Sequence, residues 1–240
     1  MRPPGNEGPR RGPCEARISP YWTRGALDPF PPVGYRAPMP SIDPSTLSHG
    51  DRYRLMISAV VPRPIAWVTT LFPDGSINAA PFSYFNGVSS TPPLVSVAVG
   101  PRGKVPEGVS RTKDTAANAE RTGELVINLV SGPAARAMVA SSVTSEVSRN
   151  GLATVPSESV AVPGLRDARV RLECRVHRLV PIEEAGTTLV LARVLRLVAA
   201  EGVLGKDGLV DVRALDPVAR LGGESYCALR DPFDIPRSGA

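Results

Sequence analysis

Cysteine and histidine are nearly missing from this chain of 240 residues, which holds only Cys14, Cys174, Cys227, His49 and His177. No C-x-x-C pair occurs and only two histidines could join the cysteines, so a zinc site lacks its ligands. A chain this long has no need of disulfides to hold a core. No apolar run reaches the roughly 18 residues of a membrane helix, and the N-terminus shows no apolar signal region, so the expected address is cytoplasmic. A G-x-S-x-G elbow is absent and His177 falls on the outward side of a strand pattern, which leaves a Ser-His-Asp hydrolase unsupported. Two glycine-rich stretches also fail as phosphate loops. GPRGKV, Gly100 to Val105, has the wrong spacing and no Ser or Thr after its Lys, and GVLGKDG, Gly202 to Gly208, follows no strand-to-helix pattern. Both read as turns.

Aromatics make up 5% of the chain and apolar residues 42%, an ordinary globular balance. The net charge of +5 is concentrated at one end, because six arginines and three acids in the first forty residues contribute +3 of it. The remainder is nearly neutral and shows no basic stripe interleaved with aromatics, which argues against nucleic-acid binding. Residues 1–40 also hold ten of the 26 prolines without hydrophobic periodicity, so a disordered tail is expected there and one folded domain over 41–240. Met39 opens MPSIDPSTLSHGDRY, which has the character of a normal start, so the upstream segment is also open to reading as a mis-assigned start.

From Ile65 the pattern turns to strands. IAWVTTL, the turn FPDGS and INAAPFSYF predict a hairpin. LVSVAVG, Leu94 to Gly100, follows the stiff pair Pro92 and Pro93, and ELVINLV is a further strand. Lys113 to Thr122 predicts a short helix with Asp114 as its cap and Gly123 as its end, and Pro133 to Ser141 a second. Arg169 to His177 alternates, with Val170, Leu172, Cys174 and Val176 on one face and charged residues on the other, and Thr187 to Val198 is its partner through a turn at Gly186. About six strands with hairpin links and a few short helices give a mainly β, antiparallel barrel.

Three motifs in order, PRPIAWVTT, DGSINAAPFSYFNGVSSTPPLVSVAVG and KDTAANAERTGELVINLVS, resemble the flavin reductase-like family of FMN-binding split barrels, with a closing DPVARLGGESYCAL. The resemblance spans Ile42 to Leu229. It implies FMN as cofactor, NADH or NADPH as electron donor, a homodimer and an oxygenase or other acceptor. The implied FMN-binding residues are Thr69, Thr70, Asn78, Ala80, Pro81, Phe82 and Ser83 along the hairpin. Arg111, Lys113 and Thr115 are implied for the phosphate, at a helix N-terminus where free N–H groups favour an anion. No side chain is expected as catalytic acid or base and no metal, because the chemistry belongs to the cofactors.

On spacing alone, Lys113 to Thr115 is a plain helix start, and Trp67 and Cys174 are core residues. The arginines of the Arg169 to Arg175 face read as a solvated strand surface. Tyr84, Phe85 and Asn86 fit a strand end or the flavin's edge equally. The sequence departs from the family at Arg196 and Val198, where many members carry histidines, and near Ala192, where they have a glycine. The competing readings are an FMN-binding electron carrier with little NAD(P)H turnover, a non-enzymatic binding module, and a pyridoxamine phosphate oxidase-like reaction. The mis-assigned start makes its own prediction: mass spectrometry of the native protein finds no peptide upstream of Met39, and a single such peptide refutes it.

Overall fold

The computed structural model describes residues 40–108, 110–142, 147–229, 231–233 and 235. The proline-rich tail, the start at Met39 and Cys14 lie outside them. The chain divides into Met1–Pro44 and Ser45–Ala240, and the elements from His49 onward belong to the second unit.

Helix α1, His49–Ala59, starts at Ser48, whose hydroxyl accepts from the Asp51 N–H at 3.1 Å and donates to the Asp51 carboxylate at 2.7 Å. That reciprocal cap satisfies an orphan donor of the first turn. Its sequence carries almost no apolar periodicity and buries only Ile57, which is why hydrophobic spacing does not reveal it. Next come β1, Arg63–Pro64, β2, Ala66–Leu71, and β3, Ile77–Phe82. The β2–β3 turn closes with Phe72 N–H to Ser76 O at 2.8 Å, and Gly75 takes φ 82°, which a side chain resists. Ser76 donates its N–H and hydroxyl to Asp74, holding that carboxyl below its ordinary range.

Strands β4, Phe85–Ser90, and β5, Pro93–Val99, form the second hairpin, so Phe85 and Asn86 belong to a strand. Helix α2, Asp114–Thr122, leads through Gly123, at φ 70°, into β6, Glu124–Leu129. The second expected helix begins as a 3₁₀ turn, Gly132–Ala134, and continues as α3, Ala135–Ser141. After the short pair β7, Thr154–Val155, and β8, Gly164–Leu165, come the two 13-residue strands β9, Val170–Ile182, and β10, Thr187–Ala199. The chain closes with α4, Val212–Leu215, β11, Val218–Arg220, and β12, Tyr226–Ala228.

Seven strands form one sheet in the order β3-β2-β6-β9-β10-β5-β4, every neighbouring pair antiparallel. Its first and last strands are consecutive in the chain, linked only by Ser83 and Tyr84, so the sheet curls until its two edges meet. This is the expected antiparallel split barrel. The inner face packs Ala66, Val68, Val97, Leu125, Ile127, Val170, Cys174 and Val190 with Ala116 and Ala119 of α2. Trp67, on the opposite face of β2, packs with Met138 of α3, Val147 and Leu165. Cys174 is fully buried, and burial, with Glu173 beside it, pushes its thiol up to about 12, which suits a packing role.

The charged face of β9 is not uniformly solvated. Glu173 is 2% exposed and accepts N–H bonds from Glu158 and Ser159, while Arg171 lies against Gly164, where an added Cβ would meet its side chain at 2.4 Å. The segment from Ser157 to Leu165 covers that face, an arrangement that alternation within β9 cannot reveal.

Leu125 is 1% exposed, and Leu125→Ala lowers stability by about 2–5 kcal/mol, seen as a lower urea midpoint at unchanged slope. Leu209→Ala, at a site 68% exposed, stays within about 0.5 kcal/mol. Equal effects at both sites would contradict the packing described.

Candidate functional site

Two adjoining cavities of about 390 Å³ each lie along β3 and the link that follows it, and they share Pro81, Phe82, Lys113 and Ser142. One runs past Asn78 and Ala80 to Arg102, Asp114 and Thr115 at the start of α2. The other runs past Ser83 and Tyr84 to α1, Arg63, Arg220 and Tyr226. Pro81 sits in an edge strand, where its missing N–H costs no interior ladder bond.

The N-terminus of α2 is open. Lys113, with φ −71° and ψ 151°, occupies the cap position without a side-chain cap bond, and helical bonding begins with Ala116 and Ala117 donating to its carbonyl. The N–H groups of Asp114 and Thr115, ahead of these, have no intrahelical acceptor. This corrects Asp114 as the cap: it lies one position inside the helix, and its carboxylate pairs with Arg102 instead. The Lys113 ammonium stands 5.6 Å from the Phe82 ring centroid, is half-buried, and belongs to no ion pair among the described residues. Burial lowers its pKa from the ordinary 10.5, because desolvation disfavours the charged form.

A chain of buried polar side chains lies beneath. Asn78 Nδ2 donates to Thr70 Oγ1 at 3.1 Å and to Thr115 Oγ1 at 3.0 Å, and Asn118 Nδ2 donates to Thr70 Oγ1 at 3.2 Å. All four residues are at most 4% exposed, and Asn78 Oδ1 has no partner. Because Asn78 occupies a lone pair of the Thr115 hydroxyl, that hydroxyl keeps its proton for another acceptor.

Of the residues suggested by sequence, Asn78, Ala80, Pro81, Phe82, Ser83, Lys113 and Thr115 line the cavities. Thr70 lies behind them, joined through Asn78. Thr69 points to the opposite face of β2, as strand alternation requires, and donates to the Pro163 carbonyl at 2.8 Å. Arg111 is exposed and outside both cavities, with a 3.4 Å bond to the Arg102 carbonyl. Arg196, Val198 and Ala192 line neither; Arg196 bonds Ser159 Oγ at 3.1 Å and the Glu158 carboxylate at 3.2 Å. Sequence reasoning missed Asn118, Arg63, Arg220 and Tyr226. A poor helix former inside α2 was the available signal for Asn118; Arg63 stood inside the quoted PRPIAWVTT without a role.

An antiparallel split barrel with a cation-bearing trough along its edge strand β3 is the class of protein defined by this fold and cavity. The chain belongs to the Flavin reductase like domain family, which matches residues 57–215. It is 40% identical to an uncharacterized protein of Halalkalibacterium halodurans, over 82% of this chain and 95% of that one. Among solved structures it resembles nitrilotriacetate monooxygenase component B from Bacillus cereus, at 33% identity and a TM-score of 0.77, covering 83% of this chain and 100% of that one. The 2-nitrobenzoate 2-nitroreductase NbaA of Pseudomonas fluorescens follows at 30% identity and a TM-score of 0.71, with the same coverage. Flavoredoxin of Desulfovibrio vulgaris, 20% identical with a TM-score of 0.63 over 75% of this chain and 93% of that one, shares the fold. No helix among the described residues is long and apolar enough to cross a membrane.

The lowered Lys113 pKa carries a pH signature. The folded chain gives up this proton more readily than the unfolded chain, where Lys titrates near 10.5, so stability rises with pH between the lowered value and 10.5. Urea midpoints of ligand-free protein across that alkaline range are expected to rise for the wild type relative to Lys113→Met. Parallel curves would refute the desolvated ammonium.

Proposed function

We propose that the protein binds FMN in the cavity at the start of α2 and works as an NADH- or NADPH-dependent flavin oxidoreductase, handing the electrons on to an acceptor. The observation that carries this reading is the unpaired, half-buried ammonium of Lys113 beside the open N-terminus of α2. A cation, free N–H groups and the Thr115 hydroxyl together suit a phosphate monoester. Ala80 and Pro81 leave room for close approach of a flat ring, and Phe82 supplies apolar wall between the two cavities.

FMN when bound supplies two-electron redox chemistry, which explains why no side-chain acid or base is needed. The chain's own part is binding and exclusion of water. Lys113 neutralises the phosphate, and the Asn78–Thr115 bond keeps the Thr115 proton directed to it. Thr70 and Asn118 hold Asn78 in place from behind. A homodimer and a cytoplasmic setting complete the proposal. An oxygenase is one acceptor consistent with the likeness to nitrilotriacetate monooxygenase component B, and sedimentation of the flavin-loaded protein as a monomer would remove the dimer.

Purified protein is expected to be yellow or to bind FMN saturably. Lys113→Ala and Thr115→Ala each weaken FMN by about tenfold or more, the usual weight of a hydrogen bond to a charged group. Riboflavin, which lacks the phosphate, is expected to bind both variants as it binds wild type. Unchanged FMN affinity in both variants would refute the site. Steady NADH or NADPH oxidation with FMN supports the reductase, and its absence in protein that binds FMN tightly favours the electron carrier.

A further inference from the structure

The second cavity, beside α1 and β11, has a composition that phosphate binding at α2 does not explain. Among the described residues it is bordered by Arg63, Lys113 and Arg220 and by no aspartate or glutamate. None of these three cations is in an ion pair among the described residues. Arg63 is 4% exposed, yet all its bonds go to neutral acceptors: the carbonyls of Ile57, Val60 and Leu221 at 2.6, 2.5 and 2.9 Å and Ser83 Oγ at 3.5 Å. Three of these carbonyls tie the end of α1 to the segment after β11, which accounts for its donors but leaves its charge unmatched. Among the described residues the Arg220 side chain likewise bonds the Gly223 carbonyl, at 2.6 Å, and the Tyr226 hydroxyl.

Buried or half-buried cations without a counter-charge are costly, and a cleft lined by one sign of charge concentrates ligands of the other. The walls are also aromatic. The Arg220 guanidinium lies 4.6 Å from the Tyr226 ring centroid and that of Arg63 5.9 Å from the Tyr84 centroid, so each arginine stands within cation–π distance of an aromatic ring. A guanidinium fork matches a carboxylate, and an aromatic wall matches a flat ring.

We propose that the second cavity binds a small planar aromatic carboxylate, with Arg220 as the residue that selects its charge, next to the flavin. The inference rests on the flavin reading for its meaning, since the flavin gives a neighbouring aromatic acid a redox partner; its binding chemistry stands on the cavity alone. Arg63 fixes the floor and Arg220 faces the ligand from the hairpin side.

The test uses flavin-loaded protein titrated with benzoate and with benzamide, its neutral counterpart, followed by the flavin visible band and by calorimetry. Benzoate is expected to bind saturably and at least about tenfold more tightly than benzamide, with an affinity that falls as salt is raised. Arg220→Gln is expected to weaken benzoate about tenfold with FMN affinity unchanged, and Arg220→Lys to fall between, retaining charge without the fork. Equal binding of benzoate and benzamide overturns the proposal. So does a parallel loss of FMN affinity in both Arg220 variants, which would mean that the flavin itself fills the cavity. If wild-type protein takes up no FMN, the flavin reading fails separately, and calorimetry of benzoate on the flavin-free protein decides the second cavity.

Discussion

The link Ser83–Tyr84 is the constraint on which the architecture depends. It joins the two edge strands of a seven-stranded sheet, and three peptide steps from Phe82 to Phe85 span at most ~11 Å. A sheet whose ends are held that close must curl, and the inward alternation of Val68, Val97, Ile127 and Val190 supplies the apolar core that rewards curling. The seam is not zipped by a ladder, because β3 and β4 do not pair with each other. Pro81 contributes to this by withholding a donor. Tyr84 is drawn to the β5 side instead, its carbonyl accepting from the Ala98 N–H at 2.9 Å. The outer edge of β3 is left unpaired by any strand of the sheet, and both cavities lie along that strand.

Helix α2 turns that gap into a chemically defined site. Its apolar side, Ala116 and Ala119, packs into the barrel core, while Asn118 and Thr115 meet Thr70 and Asn78 in a buried polar chain. Such a chain is expensive unless satisfied, and its Asn78 Oδ1, buried without a partner, sits in the residue that bridges the barrel and the helix. The packing fixes where the helix begins, and the helix start fixes where two free N–H groups and the Lys113 ammonium stand. Stability and the proposed anion recognition therefore share the same few residues, and a bound anion would relieve a desolvation penalty already present in the folded chain.

Much of the fold was legible because its signals are local. The PDGS turn, the alternation of β9 and the glycine at position 123 each act within a few residues, and each stands where the pattern placed it. Helix α1 was not legible, since only Ile57 is buried and its end is secured by Arg63, a residue outside the helix. Asp114 misled for a related reason: a good capping residue sat one position too late, and the Arg102 guanidinium was a stronger partner than the backbone. Adjacent threonines at 69 and 70 looked alike in sequence, yet the pleat sends one to Pro163 and the other to the chain beneath the cavity.

The sequence by itself determined the antiparallel barrel, the hairpins, the family and the residues at the α2 N-terminus, because periodicity, turn chemistry and motif order are written within short windows. Only the tertiary structure decided that Asn78 and Asn118 meet on the Thr70 hydroxyl, that Glu173 is buried under the segment before β8, and that Arg63 and Arg220, 157 positions apart in the numbering, border one cavity with no acid among its described residues. Those relations depend on which distant segments the curled sheet brings face to face, and charge balance within a cavity is a property of that assembled surface, not of any stretch of chain.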